Sequence, residues 1–129
     1  MILADTHVLI WWLTGERPIP SAASQAIADA GRAAVSVASV WELSIKVSKH
    51  GDERYPGLAR VLKAIRSEGL PAPFETLGIA IEDAVAVRDL PAAHGDPFDR
   101  MIAAQAMRRG LTLVSADPVF EAYRCRRIW

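Results

Sequence analysis

The chain has 129 residues of which 51% are hydrophobic, enough for one buried core and too few residues for a second catalytic module. Lys plus Arg and Asp plus Glu both total 15, a balance that excludes a passive polybasic binder of nucleic acid or anionic lipid. The single cysteine, Cys125, excludes an internal disulfide framework and a Cys-based zinc site, and suits a reducing, cytoplasmic setting.

Met1–Ala4 is a short apolar run ending at Asp5, the pattern of a buried strand with a turn at its carboxyl end. Asp5 and His7 interrupt the apolar Met1–Leu13 stretch, and no basic residue precedes it, unlike a secretory signal. No uncharged apolar run is long enough to predict a membrane span. A short helix is expected over Thr6–Leu13, closed by Gly15 and Pro18-Ile19-Pro20, and an Ala-rich helix over Ser21–Ala30, stopped by Gly31. Ala34–Val37 reads as a second strand. Helices follow over Val40–Ser48 and Gly57–Ser67, the latter with Leu58, Val61, Leu62 and Ile65 on one face.

Beyond Pro71 and Pro73, Phe74–Ile79 reads as a weaker strand, then Glu82–Arg88 and Pro97–Arg109 as helices. Leu111–Val114 is the clearest strand, and a last one is expected near Arg126–Trp129. Strands alternating with helices predict one α/β domain over 1–129, with a parallel sheet of about four to five strands covered on both faces.

In such a sheet all strands end on one edge, where the following helices begin and where ligands bind. Asp5 follows the first strand, Glu42 lies early in the helix after the second, Asp96 and Asp99 open the Pro97 helix, and Asp117 follows the Leu111–Val114 strand. Each acid also has an ordinary structural reading. Asp96-Pro97 and Asp117-Pro118 resemble helix caps, Ser39-Val-Trp-Glu42 matches a capping box, and Glu42–Lys46 has the spacing of a surface ion pair. Capping does not account for Asp99, which lies beyond Asp96, nor for an acid directly after a buried strand. Carboxylates gathered this way repel unless a cation lies between them. Oxygen ligands without a His/Cys pattern favour Mg²⁺ or Mn²⁺, ions suited to phosphodiester cleavage.

Asp5-Thr6-His7, Ser39-Val-Trp-Glu42-Leu43, His94-Gly-Asp-Pro-Phe-Asp-Arg100 and Leu113-Val-Ser-Ala-Asp117 together resemble the PIN-domain ribonucleases, and within them the VapC toxins of type II toxin–antitoxin systems. The resemblance runs from Met1 to Trp129, and Asp96–Ala106 is its most specific segment. It implies an α/β/α fold, an Mg²⁺- or Mn²⁺-dependent endoribonuclease, a homodimer, and a cognate antitoxin as partner beside the RNA substrate. Asp5, Glu42 and Asp99 match the acidic triad, Asp117 the fourth acid, and Asp96 the extra acid of the D-P-F-D-R subgroup. Asp5 and Asp99 are then expected as direct metal ligands, with Glu42 binding metal or orienting the nucleophile through a water.

Thr6 and Ser115 stand beside these acids, where their hydroxyls reach either the carboxylates or the phosphate. Arg100 has two readings, an RNA contact or an ion pair with Asp96, and Lys46 reads as a phosphate contact or as part of a solvated helix face. His7 reads as a proton carrier or a packing residue, and His94 as a partner of Asp96 or an idle loop residue. The Arg108-Arg109 and Arg124–Arg127 clusters are candidates for RNA contact or for solubility. One of Trp11 and Trp12 is expected in the core with the other facing a partner, Trp41 and Trp129 as core or edge packing, and Cys125 buried. Two alternatives stay open: a PIN-type nuclease of RNA processing or DNA without an antitoxin, and a non-catalytic α/β binding domain.

Overall fold

The computed structural model describes residues 1–92 and 95–129. In chain order it contains β1 (Ile2–Ala4), α1 (Thr6–Thr14), α2 (Ser21–Ala30), β2 (Ala33–Ser36), α3 (Val37–His50), α4 (Pro56–Glu68) and β3 (Phe74–Leu77). These are followed by α5 (Ile81–Ala86), a 3₁₀ turn (Val87–Asp89), α6 (Pro97–Arg109), β4 (Thr112–Val114), α7 (Val119–Ala122) and β5 (Arg127–Ile128). The strands form a five-stranded sheet in the order β3-β2-β1-β4-β5, and every neighbouring pair is parallel.

Alternation along the central strands divides the core. Ile2 and Ala4 of β1, Ala33 and Val35 of β2, and Val114 of β4 face one layer with Val8, Leu9, Ile27 and Leu43 from the helices. Leu3, Ala34 and Leu113 face the other, with Ile102, Ala103 and Ala106 of α6 and with Phe120 and Tyr123. Burial on both faces is why these strands read as unbroken runs of small and apolar residues. The result is the α/β/α sandwich expected from the sequence.

The chain moves from β1 outward to β2 and β3, then returns across the sheet to β4 on the other side of β1. This reversal makes the carboxyl ends of β1 and β4 a topological switch point, where neighbouring connections diverge and leave a crevice. Asp5 emerges from one of these strands and Ser115 to Asp117 from the other.

Some local expectations change. α3 starts at Val37 rather than Val40, because Ser36 is the cap and its Oγ accepts from Ala38 N at 3.1 Å. Ser39 and Glu42 therefore lie inside the helix and form no capping box. β3 ends at Leu77, because from there the chain turns into α5, where Asp83 Oδ2 accepts from Ala80 N at 2.8 Å. The four-residue α7 was not expected as a helix, and Pro118 rather than Asp117 stands at its cap position; Asp117 Oδ1 accepts from Val119 N at 2.9 Å in the turn that leads into it. Trp41 is no core residue. It is 59% exposed and meets Phe98 edge-on at 5.1 Å. Cys125 is buried as expected. Trp12 packs edge-on against Phe74 of the core, while Trp11 lies between His7 and Trp129.

Candidate active site

Asp5 caps α1 at the switch point between β1 and β4. Its Oδ1 accepts from Thr6 N at 2.6 Å, and its Oδ2 accepts from the Ser115 hydroxyl at 2.7 Å. Only 3% of Asp5 is exposed. Burial raises its pKa, and the nearby Asp117 adds to this, while Ser115, His7 and Thr6 favour the ionised form. Ser115 is itself fully buried and also accepts from Asp117 N at 3.0 Å, so a single hydroxyl ties the ends of β1 and β4 together.

Glu42 reaches the same crevice from α3. Its pKa is raised by burial and then by Asp96 and Asp5, with Thr6 and His7 acting against them. The Thr6 hydroxyl, beside this carboxylate, donates to Ser39 Oγ at 2.8 Å, which pins the start of α1 to α3. Glu42 Oε1 is buried and has no hydrogen-bond partner. A buried carboxylate oxygen left in that state is costly unless a cation or water meets it.

Asp99 shows the gathering of charge most directly. Its carboxyl is pushed up to about 7, first by burial and then by Asp96, Asp5, Glu42 and Asp117. Acids drawn from α1, α3, α6 and the end of β4 thus lie within electrostatic range of one side chain. Asp96 also keeps the capping role expected of it: its Oδ1 accepts from Phe98 N at 2.9 Å and from Asp99 N at 3.0 Å, which fixes the first turn of α6. Asp117 is exposed at the rim. Among the described residues, no group of His, Cys, Asp and Glu is already closed around one point as a metal would hold it. The donor set is all oxygen, and it fits a hard divalent cation.

The remaining candidates lie elsewhere. Arg100 donates to the carbonyls of Pro91 at 3.1 Å and Val87 at 3.2 Å and lies over the Tyr123 ring at 5.6 Å, so its guanidinium braces the segment before α6. Lys46 places its ammonium 4.9 Å above Tyr55. His94 lies outside the described residues. Arg108 and Arg109 both pair with the fully buried Asp83, at 2.7 and 2.8 Å, and join α6 to α5. Arg127 bonds Glu121 at 2.8 Å and the Ser115 carbonyl at 2.9 Å. Much of the basic clustering in the sequence therefore serves the fold. Sequence reasoning missed Ser39 as the partner of Thr6; its only signal was its place three residues before Glu42.

With this geometry in place, similarity to known proteins becomes specific. Residues 2–124 match the PIN domain family. Ribonuclease VapC22 of Mycobacterium tuberculosis is 34% identical over 124 residues, covering 95% of this chain and 92% of that protein. The VapBC2 structure from Rickettsia felis, bound to a promoter DNA fragment, contains a chain that superposes with a TM-score of 0.70 at 15% identity, covering 98% of this chain and 97% of its own. A chain of DNA-bound VapBC from Salmonella typhimurium gives 0.70 at 21% identity, with coverage of 98% and 97%. The chain belongs to the PIN-domain family, and within it to the VapC-type proteins.

Proposed function

We propose that this chain is a metal-dependent endoribonuclease and the toxin of a type II toxin–antitoxin pair. One observation carries the catalytic part: Asp99 is pushed to about 7 by burial and by the surrounding acids, beside a buried Glu42 oxygen with no partner. Such a site is unfavourable as it stands and favourable around a divalent cation. Asp5, Asp99 and Glu42 would hold Mg²⁺ or Mn²⁺, with Asp96 and Asp117 flanking them. When bound, the ion supplies Lewis-acid stabilisation of the negative charge that builds on the scissile phosphate.

The chain's own groups do the rest. Ser115 and Thr6 N offset part of the cost of burying the Asp5 carboxylate and fix its orientation. Thr6 and Ser39 hold the start of α1 against α3, which keeps Asp5 and Glu42 within electrostatic range of each other. Asp96 fixes the backbone that carries Asp99. The hydroxyls of Thr6 and Ser115 act on substrate through the carboxylates they position. Lys46, one helical turn beyond Glu42, carries positive charge for the RNA strand as it leaves the site. Arg100 acts by holding the first turn of α6.

Partners follow from two surfaces. A groove of about 560 Å³ between α1 and α4, lined by Leu13, Pro56, Arg60, Val61 and Ile65, suits a segment of the antitoxin. A second copy covers the apolar face formed by Val37, Trp41 and Ile45 of α3 with Ile79, Ile81 and Val85 beside it, all exposed. No helix among the described residues is long and apolar enough to cross a membrane.

Cleavage of total cellular RNA by antitoxin-free protein tests the reading. Discrete fragments should form with Mg²⁺ or Mn²⁺, vanish with EDTA and be absent for Asp99→Asn. Fragments that persist unchanged in that variant would show a contaminating nuclease and remove the support for this site.

A further inference from the structure

Beside the carboxylates lies an aromatic cluster that the cleavage site itself does not use, its rings inclined to one another and its two tryptophans half-buried against the core. His7 and Trp11 are one turn apart on α1, with ring centroids 5.5 Å apart. Trp11 meets Trp129 at 5.7 Å, and the Arg17 guanidinium lies 5.1 Å above the Trp11 ring. Both ends of the cluster are fixed to the acidic edge. Val114 of β4 is in register with Ile128 of β5, and Ser115 N donates to the Ile128 carbonyl at 3.2 Å, so Trp129 leaves the sheet next to the hydroxyl that holds Asp5. His7 is exposed, two residues beyond Asp5, and its charge acts on both Asp5 and Glu42.

We propose that His7, Trp11 and Trp129, with Arg17 at the outer end, form a stacking platform for the unpaired bases of single-stranded RNA next to the phosphodiester that is cut. Flat rings with a guanidinium among them are the recurring means of holding unpaired bases without reading their sequence. The α1–α4 groove is different in kind: its lining is largely aliphatic, suited to peptide side chains. Zero net charge does not oppose the assignment, because stacking supplies affinity that a polybasic surface would otherwise provide. The proposal rests on the ribonuclease reading and adds the residues that seat the strand.

The test is equilibrium binding of a labelled single-stranded RNA of mixed sequence, and of the same strand made abasic, in EDTA so that nothing is cut. Trp129→Ala should weaken binding of the complete RNA about tenfold, as expected for one lost stacking contact. Trp129→Phe should restore most of it, and the abasic strand should bind wild type and Trp129→Ala equally. His7→Ala, at an exposed position, provides a second variant should Trp129→Ala not fold, with a loss of about threefold expected for the smaller ring. Equal losses on complete and abasic strands, or no loss on either, would overturn the platform. So would unchanged RNA binding together with lost antitoxin binding, which would give the cluster to the protein partner. A wild-type chain that cuts RNA while Trp129→Ala binds it normally defeats the platform alone. A wild-type chain that neither binds nor cuts RNA defeats the nuclease reading as well.

Discussion

The Ser115 hydroxyl donates to Asp5 Oδ2 at 2.7 Å, joining residues 110 positions apart at the ends of adjacent parallel strands. It is the shortest statement of how the fold makes the site. β1 and β4 are neighbours because the chain reverses direction across the sheet between them, and that reversal opens the crevice the acids line. Without the hydroxyl, the Thr6 N–H is the one remaining hydrogen-bond donor to the Asp5 carboxylate among the described residues. Ser115→Ala should therefore lower Mn²⁺ affinity about tenfold, the usual effect of removing a group that orients a ligand. Calorimetric titration of the two proteins measures it.

Asp99 gives a pH dependence with a definite sign. Its carboxyl titrates near 3.8 in the unfolded chain and at about 7 in the folded, metal-free protein. Between those values the folded state holds the extra proton, so stability falls as pH rises through this window, and the loss is complete above about pH 7. Melting curves in EDTA should show the melting temperature dropping from pH 4 to pH 7 more steeply for wild type than for Asp99→Asn. At pH 7 the variant should be the more stable of the two. Added Mn²⁺ should raise the wild-type melting temperature most at the upper end of the range.

Asp83 works in the opposite direction. Hydrogen bonds from Arg109, the Ala80 N–H and Arg108 hold its carboxyl far below the usual carboxylate range, despite the burial that opposes them. The stability it contributes is present above about pH 4 and is lost as pH falls further. Asp83→Ala leaves two guanidinium groups without their acceptor, and it should cost about 2–3 kcal/mol in urea unfolding, the lower side of the range because both arginines are partly exposed. RNA cleavage below the melting transition should change little, since Asp83 lies at the α5–α6 junction and not in the crevice.

Trp41 tests the second copy. Trp41→Asp places a charge in the apolar face that a second copy would bury, so light scattering should report a dimer for wild type and a monomer for the variant. A variant that remains dimeric would move the interface to another surface.

The acids were legible in the sequence because each stands at a boundary: Asp5 after an apolar run, Asp96 before a proline, Asp117 after a β-rich run. Helix starts were less legible. Ser36 and Ser39 are both credible caps by residue type, and only the fold shows that Ser36 closes the turn while Ser39 turns inward to Thr6. The exposure of Trp41 could not be read either. α3 has two apolar stripes, with Leu43 in the core and Val37, Trp41 and Ile45 outside, and periodicity does not say which of them a neighbour covers. The arginines misled for a related reason. Arg108 and Arg109 look like a free basic pair until Asp83, 25 and 26 residues away, is brought against them.

A divalent cation shared by these carboxylates is tested most directly by Mn²⁺ binding with its accompanying proton release. At pH 6 the metal must displace the proton held by Asp99, so titration of the wild-type chain should give saturable binding with protons released, measurable by calorimetry in buffers of different ionisation enthalpy. Asp99→Asn should bind more weakly and release fewer protons. Binding without proton release, or equal affinity in the variant, would contradict the assignment of Asp99 as a ligand and with it the site described here.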